Sequence, residues 1–169
     1  MTTYNVKEGF ENAMSEFLKK NYENSIELLD KVIEHDPDHK LALTTRGTAQ
    51  LKLNRPDAAI DDFNRSLKVD PGYARAFHMR GLAFESKGDT HAALNDFGKA
   101  IELNPEYGAA YHSRATLYAK MGEDELATDD IQTVAHLTNV NIEAFANENN
   151  VWRSNQLRVE AMLESDLNR

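Results

Sequence analysis

The chain has 169 residues, 41% of them apolar and 28% charged, enough for one domain with a buried core and too mixed for a disordered polymer. Its formal charge of −9 argues against a general nucleic-acid binder, which needs a basic face, and the absence of cysteine excludes disulfides and thiolate metal sites. No stretch approaches the roughly 18–20 apolar residues of a membrane-spanning helix, and Met1 to Lys20 lacks the apolar run of a secretion signal, so a cytoplasmic protein is expected.

In chain order, residues 1–5 are expected to be a flexible N-terminus, and helical apolar spacing begins near residue 6. Phe10, Ala13, Met14 and Phe17 form the first stripe. Asp36-Pro37 ends the first pair of helices, and the phrase returns as Asp70-Pro71 and Asn104-Pro105, a step of 34 residues each time. Other rows keep that step: Gly47, Gly81 and Ala115; Ser25, Ala59, Ala93 and Ala127; Leu29, Phe63, Phe97 and Ile131; Arg46, Arg80 and Arg114. The units are therefore 6–39, 40–73, 74–107 and 108–141. Inside a unit, two helical stripes flank a turn such as Lys87-Gly88-Asp89 or Met121-Gly122-Glu123, and proline closes the second helix. Each hairpin has two apolar sides and buries both only by stacking on its neighbours.

These rows resemble the tetratricopeptide repeat, a 34-residue helix–turn–helix unit with Gly, Ala, aromatic and Pro at fixed offsets. The resemblance covers residues 6–141. It implies an all-α, right-handed α-solenoid of four helical hairpins followed by a long C-terminal helix. It also implies a scaffold that binds a protein or peptide, with no catalytic residues and no cofactor.

The first unit departs from the pattern, because its apolar stripe sits one step late. Either the turn Lys19-Lys20-Asn21 is one residue short, which is the preferred reading, or the stripe is rotated and shows Phe10 and Met14 to the groove. The arginine row has an internal partner row, Asp62, Asp96 and Asp130, and both rows lapse together in the first unit, at Asn12 and Leu28. Arg46–Asp62, Arg80–Asp96 and Arg114–Asp130 are thus expected to be structural ion pairs between the two helices of a hairpin.

Chemistry is hard to find. His78 and His112 occupy equivalent places on neighbouring units, too far apart at helix-packing distance to share a metal, so no metal site is expected. Asp61-Asp62 and Asp129-Asp130 recur with the repeat and point about 100° apart, unlike a catalytic carboxylate pair. No phosphate loop, nucleophile elbow or zinc-protease helix is present.

The resemblance places the ligand groove on the first helix of each hairpin. Its outward residues include Lys52, Arg75, His78, His112 and Lys120, with Leu51 and Leu82 as apolar contacts. Local positive charge on an acidic chain suggests a ligand that is acidic or ends in a free carboxylate. The Lys–Asn–Arg clamp with which some relatives grip chaperone tails is missing, since Thr45 or Met79 stands where it needs asparagine.

Residues 142–169 contain no Pro or Gly and place Ile142, Phe145, Trp152, Val159 and Leu163 at helical steps. They are expected to form a capping helix that overhangs the fourth unit. Trp152, Val159, Met162 and Leu163 then offer an interface for a partner or a second copy.

Overall fold

The computed structural model describes residues 4–141, and every regular element among them is an α-helix. The order is α1 (Val6–Leu18), α2 (Tyr22–His35), α3 (Lys40–Lys52), α4 (Pro56–Val69), α5 (Ala74–Ser86), α6 (Thr90–Leu103), α7 (Gly108–Met121) and a final helix α8 over 124–141. Helices adjacent in sequence pack as antiparallel hairpins. Each first helix also touches the first helix of the next hairpin, α1 on α3, α3 on α5 and α5 on α7. The first helices therefore share one wall, and the molecule is an all-α solenoid of tetratricopeptide-type repeats.

Local chemistry sets the boundaries. The Asn5 side chain accepts from the Glu8 amide, the Asp89 side chain from the Ala92 amide, and Pro56 opens α4. Lys20, Asn54, Gly88 and Gly122 adopt the left-handed conformation between the helices of successive hairpins, with φ of 65°, 57°, 80° and 80°. Asp36, Asp70 and Asn104 stop the second helices, and the Asp70 and Asn104 carboxyl and amide oxygens then accept from the amides two residues on.

The left-handed residues lie 34 apart in all four hairpins, so the first turn is no shorter than the others. The short-turn reading of unit one fails. The register marker is Ala13, fully buried in the small-residue row, while Phe10, Met14 and Phe17 are only partly buried.

Close approach of paired helices rests on that row. A Cβ on Gly47 would stand 2.8 Å from the Phe63 ring, and one on Gly81 would stand 2.6 Å from the Phe97 ring. Both rings are fully buried. Where the row carries alanine, at Ala13 and Ala115, the facing residue is the slimmer Leu29 or Ile131. In the first hairpin, alanine against the fully buried Leu29 fills the gap that glycine against phenylalanine fills in the second and third.

Candidate functional site: the concave wall

Three arginines tie the wall to the layer behind it. Arg46 Nε donates to Asp62 Oδ2 at 2.8 Å, with Nη2 on the second oxygen. Arg80 makes the same fork to Asp96 at 2.7 and 2.8 Å, and Arg114 to Asp130 at 2.8 and 2.8 Å. The aspartates are buried, and the forked geometry is the strongest that a guanidinium makes with a carboxylate. Asp62, by hydrogen bond and charge, holds the Arg46 guanidinium well above its ordinary value, with Asp30 adding to it; Asp130 does the same for Arg114. Phe77 and Phe84 lie beside the Arg80 guanidinium, and Tyr111 and Tyr118 beside that of Arg114. The three ion pairs join the two helices of their hairpins.

The third guanidinium nitrogen reaches the hairpin before. Arg46 Nη1 donates to Asp30 Oδ1 at 2.6 Å, and Arg80 Nη1 to Asn64 Oδ1 at 2.6 Å. The residue one repeat further on is Gly98, whose absent Cβ would lie 4.0 Å from Arg114 Nη1. Sequence reasoning missed these links. Their signal was the row Asp30, Asn64, Gly98, in step with the arginines.

The expected groove residues divide. Lys52, Arg75 and His112 are exposed, and none of the three has a carboxylate within ion-pair distance among the described residues. Lys120 pairs with Glu85 on the neighbouring first helix, which neutralises its charge. Leu51 and Leu82 are half-buried against the hairpin cores around Phe63 and Phe97.

His78 is not a groove residue. It is 7% exposed, with Nδ1 on the Tyr107 hydroxyl at 3.1 Å and Nε2 on Ser113 Oγ at 2.8 Å. Tyr107, from the loop before α7, and Ser113, on α7, close over it. Burial, helped by the charge of Arg75, pushes its pKa down to about 4, so it is neutral at pH 7 and joins α5 to the next hairpin. Among the described residues no cluster of His, Asp and Glu has the arrangement of a metal site.

Another part of the wall is concave. Phe10, Met14 and Phe17 of α1, Leu41, Thr44, Thr45 and Thr48 of α3, and Tyr73 and Arg75 at the start of α5 enclose a cavity of about 220 Å³. Its floor is apolar because the first-unit stripe turns toward the groove. Arg75 carries positive charge at its rim. Trp152, Val159, Met162 and Leu163 lie outside the described residues.

Hairpins repeating every 34 residues, joined by arginine forks and lined on one side by their first helices, define a helical-repeat interaction scaffold. Residues 41–73 and 74–107 each match the family model of the tetratricopeptide repeat. No curated protein sequence matches it significantly. Among solved structures it is similar to MamA, with a TM-score of 0.75 and 23% identity over 82% of this chain and 81% of that one. It is similar too to TTC0263, a thermophilic TPR protein of Thermus thermophilus, with a TM-score of 0.71 and 19% identity over 79% and 74% of the two chains. A third similar structure is the first TPR of Spaghetti (RPAP3) bound to an HSP90 peptide, with a TM-score of 0.66 and 21% identity over 69% and 93%. At these identities the likeness is one of fold.

Proposed function

We propose that the protein is a non-enzymatic scaffold whose concave wall holds an extended peptide of a partner protein. An apolar side chain of the peptide enters the cavity over Phe10, Met14 and Phe17, and a neighbouring carboxylate pairs with Arg75. The observation that carries this reading is the cavity itself, an apolar recess on the shared wall with a guanidinium at its edge that has no carboxylate partner among the described residues. Apolar surface left in a recess is the feature that peptide grooves exploit, and charge at the rim sets ligand orientation and salt dependence. The related fold in Spaghetti holds a peptide, so the geometry is compatible with one. Lys52 adds positive charge to the wall and His112 an exposed hydrogen-bonding imidazole, and a ligand of several acidic residues would reach them.

No helix among the described residues is long and apolar enough to cross a membrane. A cytoplasmic setting belongs to the proposal.

The test is selection of binders from a random peptide library on the full chain. Enriched sequences should pair an apolar anchor with a nearby acidic group or free C-terminal carboxylate. Met14→Asp and Arg75→Glu should each weaken the best peptide at least tenfold without lowering the melting temperature. Undiminished binding by both variants would move the ligand off this wall.

A further inference from the structure

Every hairpin before the last has its outer face covered by the first helix of the next: α3 packs on α2, α5 on α4 and α7 on α6. The face formed by α7 and α8 has no such cover among the described residues. It opens as a pocket of about 770 Å³ lined by Ala115, Ala119, Ala127, Thr128 and Ile131. Phe63 and Phe97 are fully buried in their hairpins, whereas Ile131, at the equivalent place, is 48% exposed.

The sequence supplies a helix of the right pattern. Ala42, Ala76 and Ala110, the fully buried residues near the start of each covering helix, are followed 34 residues later by Ala144. Ala49, Ala83 and Leu117, buried near its end, are followed by Val151. Phe145 continues the row Leu43, Phe77, Tyr111, and Trp152 continues Gln50, Phe84, Tyr118. Residues 142–154 therefore carry the apolar pattern of a fifth covering helix. Ala161 then continues Ala59, Ala93 and Ala127, the row of a second helix.

The chain does not turn back where the earlier units do. After Asp36, Asp70 and Asn104 a four-residue segment, 36–39, 70–73 or 104–107, reverses the chain so that the next helix lands in register on its own hairpin. The equivalent residues Thr138, Asn139, Val140 and Asn141 lack the proline and are helical. The four residues that reverse the chain in the earlier units lengthen α8 instead, so the reversal that seats α3, α5 and α7 on their own preceding hairpins is not used here. The same face on a second copy requires no such reversal.

We propose that two copies exchange residues 142–154, each segment covering the α7–α8 face of the other. Such an exchange is two-fold and closed, so it stops at a dimer. It uses the opposite end of the solenoid from the α1–α3–α5 cavity and does not depend on the peptide-binding reading.

Trp152 is the sole tryptophan and reports on the segment directly. Light scattering after size exclusion, read alongside acrylamide quenching of Trp152, should show a dimer with a shielded indole, both signals being lost together on dilution. Val151→Asp should give a monomer whose Trp152 is quenched at least threefold more strongly, with the helical circular dichroism of the repeats retained. Thr138→Asp with Asn139→Pro restores the reversal of the earlier units and should give a monomer in which Trp152 stays shielded. A wild-type chain that is monomeric at every concentration would overturn the exchange. So would a dimer that survives Val151→Asp, or one whose Trp152 is open to quencher.

Discussion

At the scale of single residues, a few atoms decide whether two helices can meet. Gly81 faces Phe97 with no space for a methyl group, and Phe97 is fully buried and cannot step aside. Gly81→Ala should therefore destabilise by about 1–2 kcal/mol, the cost of overpacking exceeding the roughly 1 kcal/mol that alanine gains in a helix. Adding Phe97→Leu should remove part of the clash, since Ala13 already faces Leu29 in the first hairpin. Denaturation midpoints of the two single variants and the double variant check this, and strictly additive losses would mean the contact is not the cause.

His78 is the second residue whose state matters. Its folded pKa of about 4 lies below the ordinary 6.5, so the unfolded chain takes a proton that the folded chain refuses. Its contribution is complete above pH 6.5 and declines as pH falls toward 4. The slope is about 1.4 kcal/mol per pH unit and the total roughly 3 kcal/mol. Denaturant titrations at about pH 7 and pH 5 should show wild type losing more stability than His78→Gln, by about 1–2 kcal/mol. Equal losses would mean the imidazole is protonated in place. The burial of His78 was not legible in the sequence. Helical periodicity puts it on the outward face with His112, and what covers it comes from 29 and 35 residues further along.

At the scale of elements, the repeat was legible because its markers are covalent necessities. A left-handed residue ends each first helix, an Asx–Pro step ends α2, α4 and α6, and a small residue sits where helices touch. The stripe of the first helix misled because it was aligned by its apolar residues. Phe10, Met14 and Phe17 line the recess, with Phe10 also packed on the first hairpin core, while the fully buried Ala13 marks the register. The arginine forks were legible as paired rows that lapse together. Their link to the preceding hairpin was not, because its partner changes from Asp30 to Asn64 to Gly98.

That last change offers a test between hairpins. Gly98→Asn would give Arg114 Nη1 the acceptor that Arg80 has in Asn64. Asparagine is intrinsically the poorer helix former, by about 0.6 kcal/mol relative to alanine. Gly98→Asn should nevertheless match or exceed Gly98→Ala in thermal stability, because a hydrogen bond to a charged group adds about 1 kcal/mol or more. Asparagine trailing alanine by the full propensity difference would show that the third link does not form.

At the scale of the whole molecule, the two ends of the described solenoid have different surfaces. The α1 end turns Phe10, Met14 and Phe17 into a recess beside Arg75, while the α7–α8 end leaves Ile131 half exposed. Between them Lys120 is paired with Glu85 and His78 is neutral, so positive charge on the wall is concentrated at Lys52 and Arg75. The acidic, apolar-anchored peptide proposed above would meet the recess and the Arg75 guanidinium together.

The most direct measurement is an amide chemical-shift map of the labelled full chain titrated with the best peptide from the library. Shifts should concentrate on Phe10, Met14, Phe17, Thr45, Thr48 and Arg75, shrink with added salt, and spare the outer helices α2, α4 and α6. Shifts centred on those outer helices, or on the α7–α8 face, would contradict binding on the concave wall.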